Sequence, residues 1–256
     1  MNLGLRGRRA VITGGTRGIG LVIAEAFAAE GTNVAICARN SGEIEQTLTA
    51  LREKGVSAFG AVVDIADRDR LESWIEEAAT QLGGIDALIC NASAIANGDT
   101  DEQWEIAFTI DVLGARRAIR VAMPHLKAAA QRYGDAAITI LSSAAAAEGL
   151  RLAAYGPMKA AQIHLVKTLA RTYGPDHVRA NAISPGTVYF EGGVWQRIER
   201  GNPEYFKTMQ ERNPLARMAT AEEIANAAVF LSSTASAYTS GVNLVIDGAA
   251  SLRVNY

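Results

Sequence analysis

Short apolar runs alternate with longer segments of helical periodicity from one end of the chain to the other. The runs are rich in Val, Ile and Ala, and most lack the polar alternation of a strand that has one face in water. Between them, apolar residues recur at helical spacing, as in Leu71, Trp74, Ile75 and Ala78. The runs predicted to be strands are 10–12, 33–38, 58–63, 85–90, 136–141, 178–183 and 242–246.

Near-continuous apolar strands separated by helices are typical of a parallel sheet covered on both faces. We therefore predict an α/β fold, a single doubly wound Rossmann-type domain over residues 1–256 with about seven parallel strands and helices on both faces. A long helical region is predicted over about 102–132, and a helix over about 158–172 is apolar on more than one face. Such a helix suits packing against both its own sheet and a second subunit.

One irregular stretch, 188–218, interrupts this alternation. Its aromatic content is too high for a solvated linker: Tyr189, Phe190, Trp195, Tyr205 and Phe206. The stretch follows the strand that ends near residue 184, and ligands of open parallel sheets bind beyond the carboxyl ends of the strands. It is therefore the candidate substrate lid.

Composition narrows the class of protein. The chain has 256 residues, 49% of them hydrophobic and 20% charged, with a net charge of −2. This is typical of a globular protein and gives no reason to expect nucleic acid or a membrane as partner. Cys37 and Cys90 lie inside apolar runs, which favours free thiols in a reducing compartment and a cytoplasmic location. The three histidines lack metal-ligand spacing, so no metal site is predicted.

A glycine-rich turn joins the first strand to the first helix, with Gly14, Gly18 and Gly20 at its key positions. Glycine permits positive φ and lets a ligand approach the backbone closely. The free N–H groups and positive dipole end of the following helix suit a pyrophosphate. The sequence therefore predicts a dinucleotide site here.

A phenol and an ammonium, Tyr155 and Lys159, lie at i and i+4, and Pro157 between them fits the first turn of a helix. The helix dipole and the neighbouring ammonium both favour the phenolate, so Tyr155 could exchange a proton with a substrate oxygen. Ser142 and Ser143 end a strand and could hydrogen-bond the same oxygen. The alternative is a buried aromatic, a solvated lysine and two serines that cap the next segment.

Taken in order along the chain, these motifs resemble the short-chain dehydrogenase/reductase family in its short single-domain form. The resemblance rests on Thr13-Gly14-x3-Gly18-x-Gly20, Asp64-Ile65, the strand end 86–93, Tyr155-x3-Lys159, Pro185-Gly186-Thr187-Val188, and the segments 230–233 and 240–248. It implies that Tyr155 is the acid/base and that Lys159 binds the cofactor ribose. The implied cofactor contacts are Gly14, Thr16, Arg17, Gly18, Ile19, Gly20, Arg39, Asp64, Ile65, Asn91, Ala92, Tyr155, Lys159, Pro185, Gly186 and Val188.

The chain departs from the family pattern at several positions. The family's serine lies 13 residues before the tyrosine, which selects Ser142, but the second serine of a pair is commonly used, which selects Ser143. We favour Ser143, with a one-residue deletion within 144–152. Asp111 replaces the family's catalytic asparagine, whose backbone carbonyl holds a water of a proton relay. An added carboxylate near Lys159 would favour the charged lysine. Phe190 replaces a threonine that contacts the cofactor.

Two arginines indicate the cofactor. NAD-specific members carry an acidic residue after the second strand, where this chain has Ala38 followed by Arg39, and Arg17 lies within the glycine turn. Both can reach a 2′-phosphate, so NADP(H) is favoured over NAD(H).

The predicted function is an NADPH-dependent oxidoreductase that acts on a carbonyl or alcohol substrate. That substrate is either a 3-oxoacyl thioester or a small or cyclic ketone. The alternative is a catalytically idle NADP(H)-binding protein or partner subunit. The resemblance also implies a homodimer or homotetramer.

Overall fold

A central parallel sheet organises this computed structural model, which describes residues 2–149, 152–252 and 254. The strands are β1 (Arg9–Thr13), β2 (Asn33–Ala38), β3 (Ala58–Val62), β4 (Ala87–Cys90), β5 (Ala136–Leu141), β6 (Val178–Pro185), β7 (Val188–Tyr189), β8 (Ala219–Thr220) and β9 (Asn243–Ile246). Seven of them form the main sheet in the order β3-β2-β1-β4-β5-β6-β9, and β7 pairs with β8 apart from it. The order reverses direction between β1 and β4, which marks the crevice where such sheets bind ligands.

Helices connect the strands and cover both faces of the sheet. Their bounds are α1 (Gly18–Ala29), α2 (Ser41–Glu53), α3 (Arg68–Leu82), α4 (Asp101–Ala107), α5 (Ala115–Tyr133), α6 (Tyr155–Tyr173), α7 (Val194–Gly201), α8 (Pro203–Glu211) and α9 (Ala221–Leu231). Several helices begin or end at residues that are commonly found in helix caps. Asn40 and Asp67 accept first-turn N–H groups of α2 and α3, and Gly83 ends α3 with a left-handed φ of 76°.

Alternate residues of the central strands pack into two separate hydrophobic layers, one on each face of the sheet. On one face, Val11 and Leu88 pack with α3, α5 and α6 around the fully buried Trp74. On the other face, Ile12 and Ile89 pack with α1, α2 and α9. Because successive strand residues point to opposite faces, the central strands stabilise both layers. This explains why the central strands are apolar throughout, and the predicted doubly wound α/β fold is confirmed.

Two stretches differ in detail from what the sequence predicts. The helical region expected over about 102–132 is present, but a π-helical stretch, Phe108–Gly114, separates α4 from α5 within it. Each π turn takes up an extra residue, which changes the faces presented on either side. The stretch 188–218 is also more regular than expected. It contains β7, α7 and α8, and α8 begins at Pro203 with Asn202 capping it.

No helix in the described ranges is long and apolar enough to cross a bilayer. Within the same ranges, no group of three His, Cys, Asp or Glu side chains is placed to hold a metal ion.

Candidate active site

A large cleft of about 1420 Å³ runs along the carboxyl ends of the strands. Every residue expected from the sequence to contact the cofactor lines it, including the glycine turn and Pro185, Gly186 and Val188. Ser143 lines the same cleft, whereas Asp111 lies buried beneath it. The fold therefore brings together residues that are spread over most of the chain.

The glycine turn leaves the first turn of α1 facing this cleft. Gly14 and Gly18 have φ values of 70° and 51°, which explains the need for glycine at both positions. A Cβ on Gly20 would collide with the Gly14 carbonyl oxygen. The Asn91 side-chain amide donates to the Thr13 and Gly14 carbonyls at 3.1 and 2.9 Å and so fixes the turn from the end of β4.

The N-terminus of α1 carries no side-chain cap: Arg17 occupies the N-cap position in an extended conformation, without a capping hydrogen bond. The N-terminus of α6 is likewise uncapped by its N-cap residue, Ala154. The first N–H groups of a helix are left without helical partners, and the dipole there is positive. Both positive helix ends are thus available to negative charge, one at the glycine turn and one at Tyr155.

Tyr155 is the first residue of α6 and is half-buried at the cleft wall. Lys159 follows one turn later, and its Nζ lies 5.5 Å from the centre of the Tyr155 ring. Pro157 occupies the first turn, where its missing N–H breaks no helical hydrogen bond. The predicted i, i+4 arrangement is therefore present, with the ammonium beneath the phenol.

Lys159 is held from two sides. Its Nζ donates to the Leu141 carbonyl at 2.9 Å and lies 3.0 Å from Asp111 Oδ1, and only 2% of its side chain is exposed. The other oxygen of Asp111 accepts a hydrogen bond from the Ala94 N–H at 3.0 Å. The carboxylate expected near Lys159 is thus in direct contact with the ammonium.

The backbone carbonyl of Asp111 has a protein partner of its own. Gln162, three residues after Lys159 on the same face of α6, donates its amide Nε2 to that oxygen at 2.6 Å and is 1% exposed. The family resemblance assigns this carbonyl to a water, but here a side chain contacts it. Sequence reasoning missed Gln162, although a polar residue among the apolar positions of α6 was the available signal.

The two serines differ in what their hydroxyls do. Ser142 is buried and donates to the Lys159 backbone carbonyl at 2.8 Å. Ser143 is half-buried, and its Oγ accepts the Ala145 N–H at 3.2 Å, which leaves its own proton for another acceptor. The deletion postulated within 144–152 includes Leu150 and Arg151, which lie outside the described residues. The hydrogen bonds alone favour Ser143 as the donor to a substrate.

Charged groups occupy the end of the cleft next to α2. Arg39 is exposed, and Arg17 is paired with Glu43, whose Oε2 accepts from Arg17 Nε at 2.7 Å and from Thr16 Oγ1 at 3.1 Å. The hydrogen bond from Arg17 lowers the pKa of Glu43 below its usual value. Glu43 was not among the predicted site residues. Its position in the first turn of a helix that follows β2 was the signal for it.

Aromatic side chains of the candidate lid also line the cleft. The Phe190 ring packs on the glycine turn so closely that a Cβ on Gly18 would lie 2.6 Å from it. Trp195 and Tyr205 stack with their ring centres 6.2 Å apart, which joins α7 to α8. Tyr189 donates its hydroxyl to Glu199 at 2.6 Å. The candidate lid therefore forms part of the cleft wall, through Phe190, Trp195 and Tyr205.

The chain is similar to known proteins over almost its whole length. A family model described as enoyl-(acyl carrier protein) reductase matches residues 14–250. Isoepoxydon dehydrogenase of Penicillium expansum is 39% identical over 253 residues, which cover 97% of this chain and 96% of that protein.

Two solved structures show the same likeness in three dimensions. One is L-sorbose reductase of Gluconobacter frateurii, complexed with NADPH and L-sorbose. It is 31% identical and superposes with a TM-score of 0.90 over 99% of this chain and all of that one. The other is NAD+-bound xylitol dehydrogenase, which is 27% identical and has a TM-score of 0.87 over 96% of this chain and 99% of that one.

Proposed function

The chain belongs to the short-chain dehydrogenase/reductase family, and from this premise we propose that it is an NADP(H)-dependent oxidoreductase that interconverts a small-molecule ketone and its alcohol. The observation that carries the proposal is the placement of Tyr155 over Lys159 at the uncapped start of α6. Both residues open onto a cleft that every candidate cofactor contact lines.

The residues present fit a dinucleotide. The turn of Gly14, Gly18 and Gly20 and the uncapped α1 would hold the pyrophosphate, and Asp64 and Ile65, which line the same cleft, would contact the adenine. When bound, the nicotinamide supplies or accepts the hydride, and the protein supplies binding, orientation and electrostatics.

Tyr155 is proposed as the acid/base. In the direction of reduction, the carbonyl carbon gains a hydride while the carbonyl oxygen takes the phenolic proton of Tyr155. In oxidation both transfers reverse. The positive end of α6 and the Lys159 ammonium stabilise the phenolate that reduction leaves behind. Ser143 retains a hydroxyl proton and would donate it to the same oxygen.

Asp111 is proposed to act on Lys159 from beneath the cleft. Its carboxylate balances the charge of Lys159, and its hydrogen bond from Ala94 fixes the carboxylate in place. An ammonium held by both Asp111 and the Leu141 carbonyl keeps one position under the phenol. Asp111 therefore positions Lys159 through its side chain rather than through its backbone.

NADP(H) is the proposed cofactor because the carboxyl end of β2 carries Ala38 and the exposed Arg39 instead of a carboxylate. An arginine offers charge-assisted hydrogen bonds to a 2′-phosphate, whereas a carboxylate would repel it. The relative in complex with NADPH supports this preference, and the NAD+-bound neighbour shows that the same fold also accommodates NAD+.

The proposed substrate is a small polar or cyclic ketone or alcohol. The names of the relatives point to isoepoxydon, L-sorbose and xylitol, none of which is an acyl chain on a carrier protein. The lid supports this choice, since Trp195 and Tyr205 form an apolar wall beside the exposed charge of Arg197.

The homo-oligomeric state and the cytoplasmic location of the protein stay predictions. Half-buried apolar residues of α6, among them Ile163, Leu165 and Leu169, support an assembly through this helix, as a homodimer or homotetramer.

A substrate panel tests the proposed function. NADPH oxidation and NADP+ reduction would be followed with cyclic ketones, ketoses, polyols and 3-oxoacyl thioesters, after NADPH binding has been measured directly. We expect turnover of at least one small ketone or alcohol. Turnover of acyl thioesters alone would replace the substrate class, and NADPH binding without any turnover would support the idle alternative.

A further inference from the structure

An acidic side chain lies at the end of the cleft where the sequence suggests only cations. Glu43 belongs to the first turn of α2 and lines the cleft together with Arg17 and Arg39. It approaches from a helix rather than from the end of β2, where Ala38 leaves no carboxylate. The positive charge at this end is therefore partly neutralised from within the protein.

The backbone of Glu43 is fixed, and this sets where its carboxylate lies. Its N–H donates to the Asn40 side chain at 3.1 Å, and its carbonyl accepts from Thr47 Oγ1 at 2.8 Å. The carboxylate then takes the Arg17 Nε–H at 2.7 Å and the Thr16 hydroxyl at 3.1 Å. Two residues of the glycine turn are thereby tied to α2.

The two partners differ in exposure. The Arg17 side chain is 73% exposed and the Glu43 side chain 28% exposed. An exposed pair of this kind contributes little to stability, because water competes for both charges. Such a pair can exchange partners easily, and a phosphate dianion would be a stronger partner for the guanidinium than one carboxylate.

We propose that Glu43 is a specificity-determining residue for the cofactor, whose carboxylate competes with the 2′-phosphate of NADP(H) for Arg17 and so lowers the preference for NADPH over NADH. The inference rests on the proposed function. A 2′-phosphate can pair with the Arg17 guanidinium only by displacing the Glu43 carboxylate from it, whereas the uncharged 2′-hydroxyl of NADH does not compete for this guanidinium. Glu43 therefore weakens the binding of NADPH selectively.

Dissociation constants of the two dinucleotides test this inference without any substrate. NADPH and NADH would each be titrated into the wild type, Glu43→Gln, Arg17→Gln and the double variant, with nicotinamide fluorescence or calorimetry as the readout. Glu45→Gln is the matched control, since Glu45 is exposed on the same helix. We expect Glu43→Gln to bind NADPH about fivefold more tightly, with NADH within about twofold of wild type.

The double variant and the salt dependence sharpen the outcome. In the Arg17→Gln background, Glu43→Gln should change NADPH binding far less, and the fivefold gain should shrink as ionic strength rises. Weaker or unchanged NADPH binding by Glu43→Gln, or an equal change for NADH, would overturn the role of Glu43 and leave the proposed function intact. Failure of the wild type to bind either dinucleotide would overturn both.

Discussion

The Lys159 ammonium and an Asp111 carboxylate oxygen lie 3.0 Å apart, and both side chains are almost completely buried. A charge in such a place needs a partner, because burial removes the water that would otherwise stabilise it. The pair therefore links stability to the proposed chemistry, since the same ammonium lies under the Tyr155 ring.

Removing one member of this pair should destabilise the protein. Asp111→Ala leaves the Lys159 charge without its partner, and we expect the free energy of unfolding to fall by about 3–5 kcal/mol. Asp111→Asn keeps an acceptor for the Ala94 N–H and should lose less. Denaturant unfolding of the three proteins measures this, and equal stability of all three would show that the pair contributes nothing.

The two serines should respond differently to substitution. Ser143→Ala is expected to lower kcat by about 10²-fold, because it removes the proposed donor to the substrate oxygen. Ser142→Ala deletes a buried hydrogen bond to the Lys159 carbonyl and should cost about 1–3 kcal/mol of stability. Steady-state kinetics and thermal unfolding of both variants separate these effects. The opposite pattern would assign the catalytic role to Ser142.

Arg39 should discriminate between the cofactors. Arg39→Gln removes a cation that is exposed at the end of β2, and a charge-assisted hydrogen bond contributes about 1.5–3 kcal/mol. The Kd for NADPH should therefore rise by about tenfold or more, while the Kd for NADH stays close to that of wild type. Arg52, exposed on α2, offers a control through Arg52→Gln. An equal loss for both dinucleotides would contradict a phosphate-binding role.

The two cysteines should be inert in the folded protein. Both are free and buried, and burial raises the pKa of each thiol from 9.0 to about 12. At pH 8 a thiol reagent should label neither residue until denaturant is added, after which both react. Rapid labelling of the native protein would contradict their burial.

The same pKa shifts make the stability of the folded protein depend on pH. The unfolded chain releases the thiol protons above pH 9, whereas the folded chain keeps them until about pH 12. The folded state therefore binds more protons in this window, and the contribution of the thiols to stability is lost as pH rises through it. Unfolding measured with both cysteines replaced by Ala should show a weaker decline above pH 9.

The sequence predicts those parts of the structure that depend on interactions between residues close together in the chain. Strands β2 and β5 were predicted to the residue, because each is an apolar run with clear polar neighbours. The glycine turn was predictable because φ and close approach act locally. The π-helical stretch could not be predicted, because helical periodicity continues through it without a break.

Local sequence patterns do not predict contacts between residues that are far apart in the chain. Gln162 lies 51 residues from Asp111 in the chain, and Glu43 lies 26 residues from Arg17. Nothing near either residue indicates its partner, because the packing of separate helices creates both contacts. The nearness of Asp111 to Lys159 was expected only through the family resemblance. The direct ion pair and its Gln162 neighbour emerge from the three-dimensional arrangement.

The proposed function requires Tyr155 to exchange the proton in a reaction whose hydride comes from or goes to NADP(H). Tyr155→Phe tests it most directly, because it deletes one hydroxyl and keeps the ring above Lys159. Two quantities would be measured on the same preparation: the Kd for NADPH, and kcat with a substrate that the wild type turns over. We expect a Kd within about twofold of wild type and a kcat lower by about 10²–10⁴-fold. Turnover at the wild-type rate would contradict it.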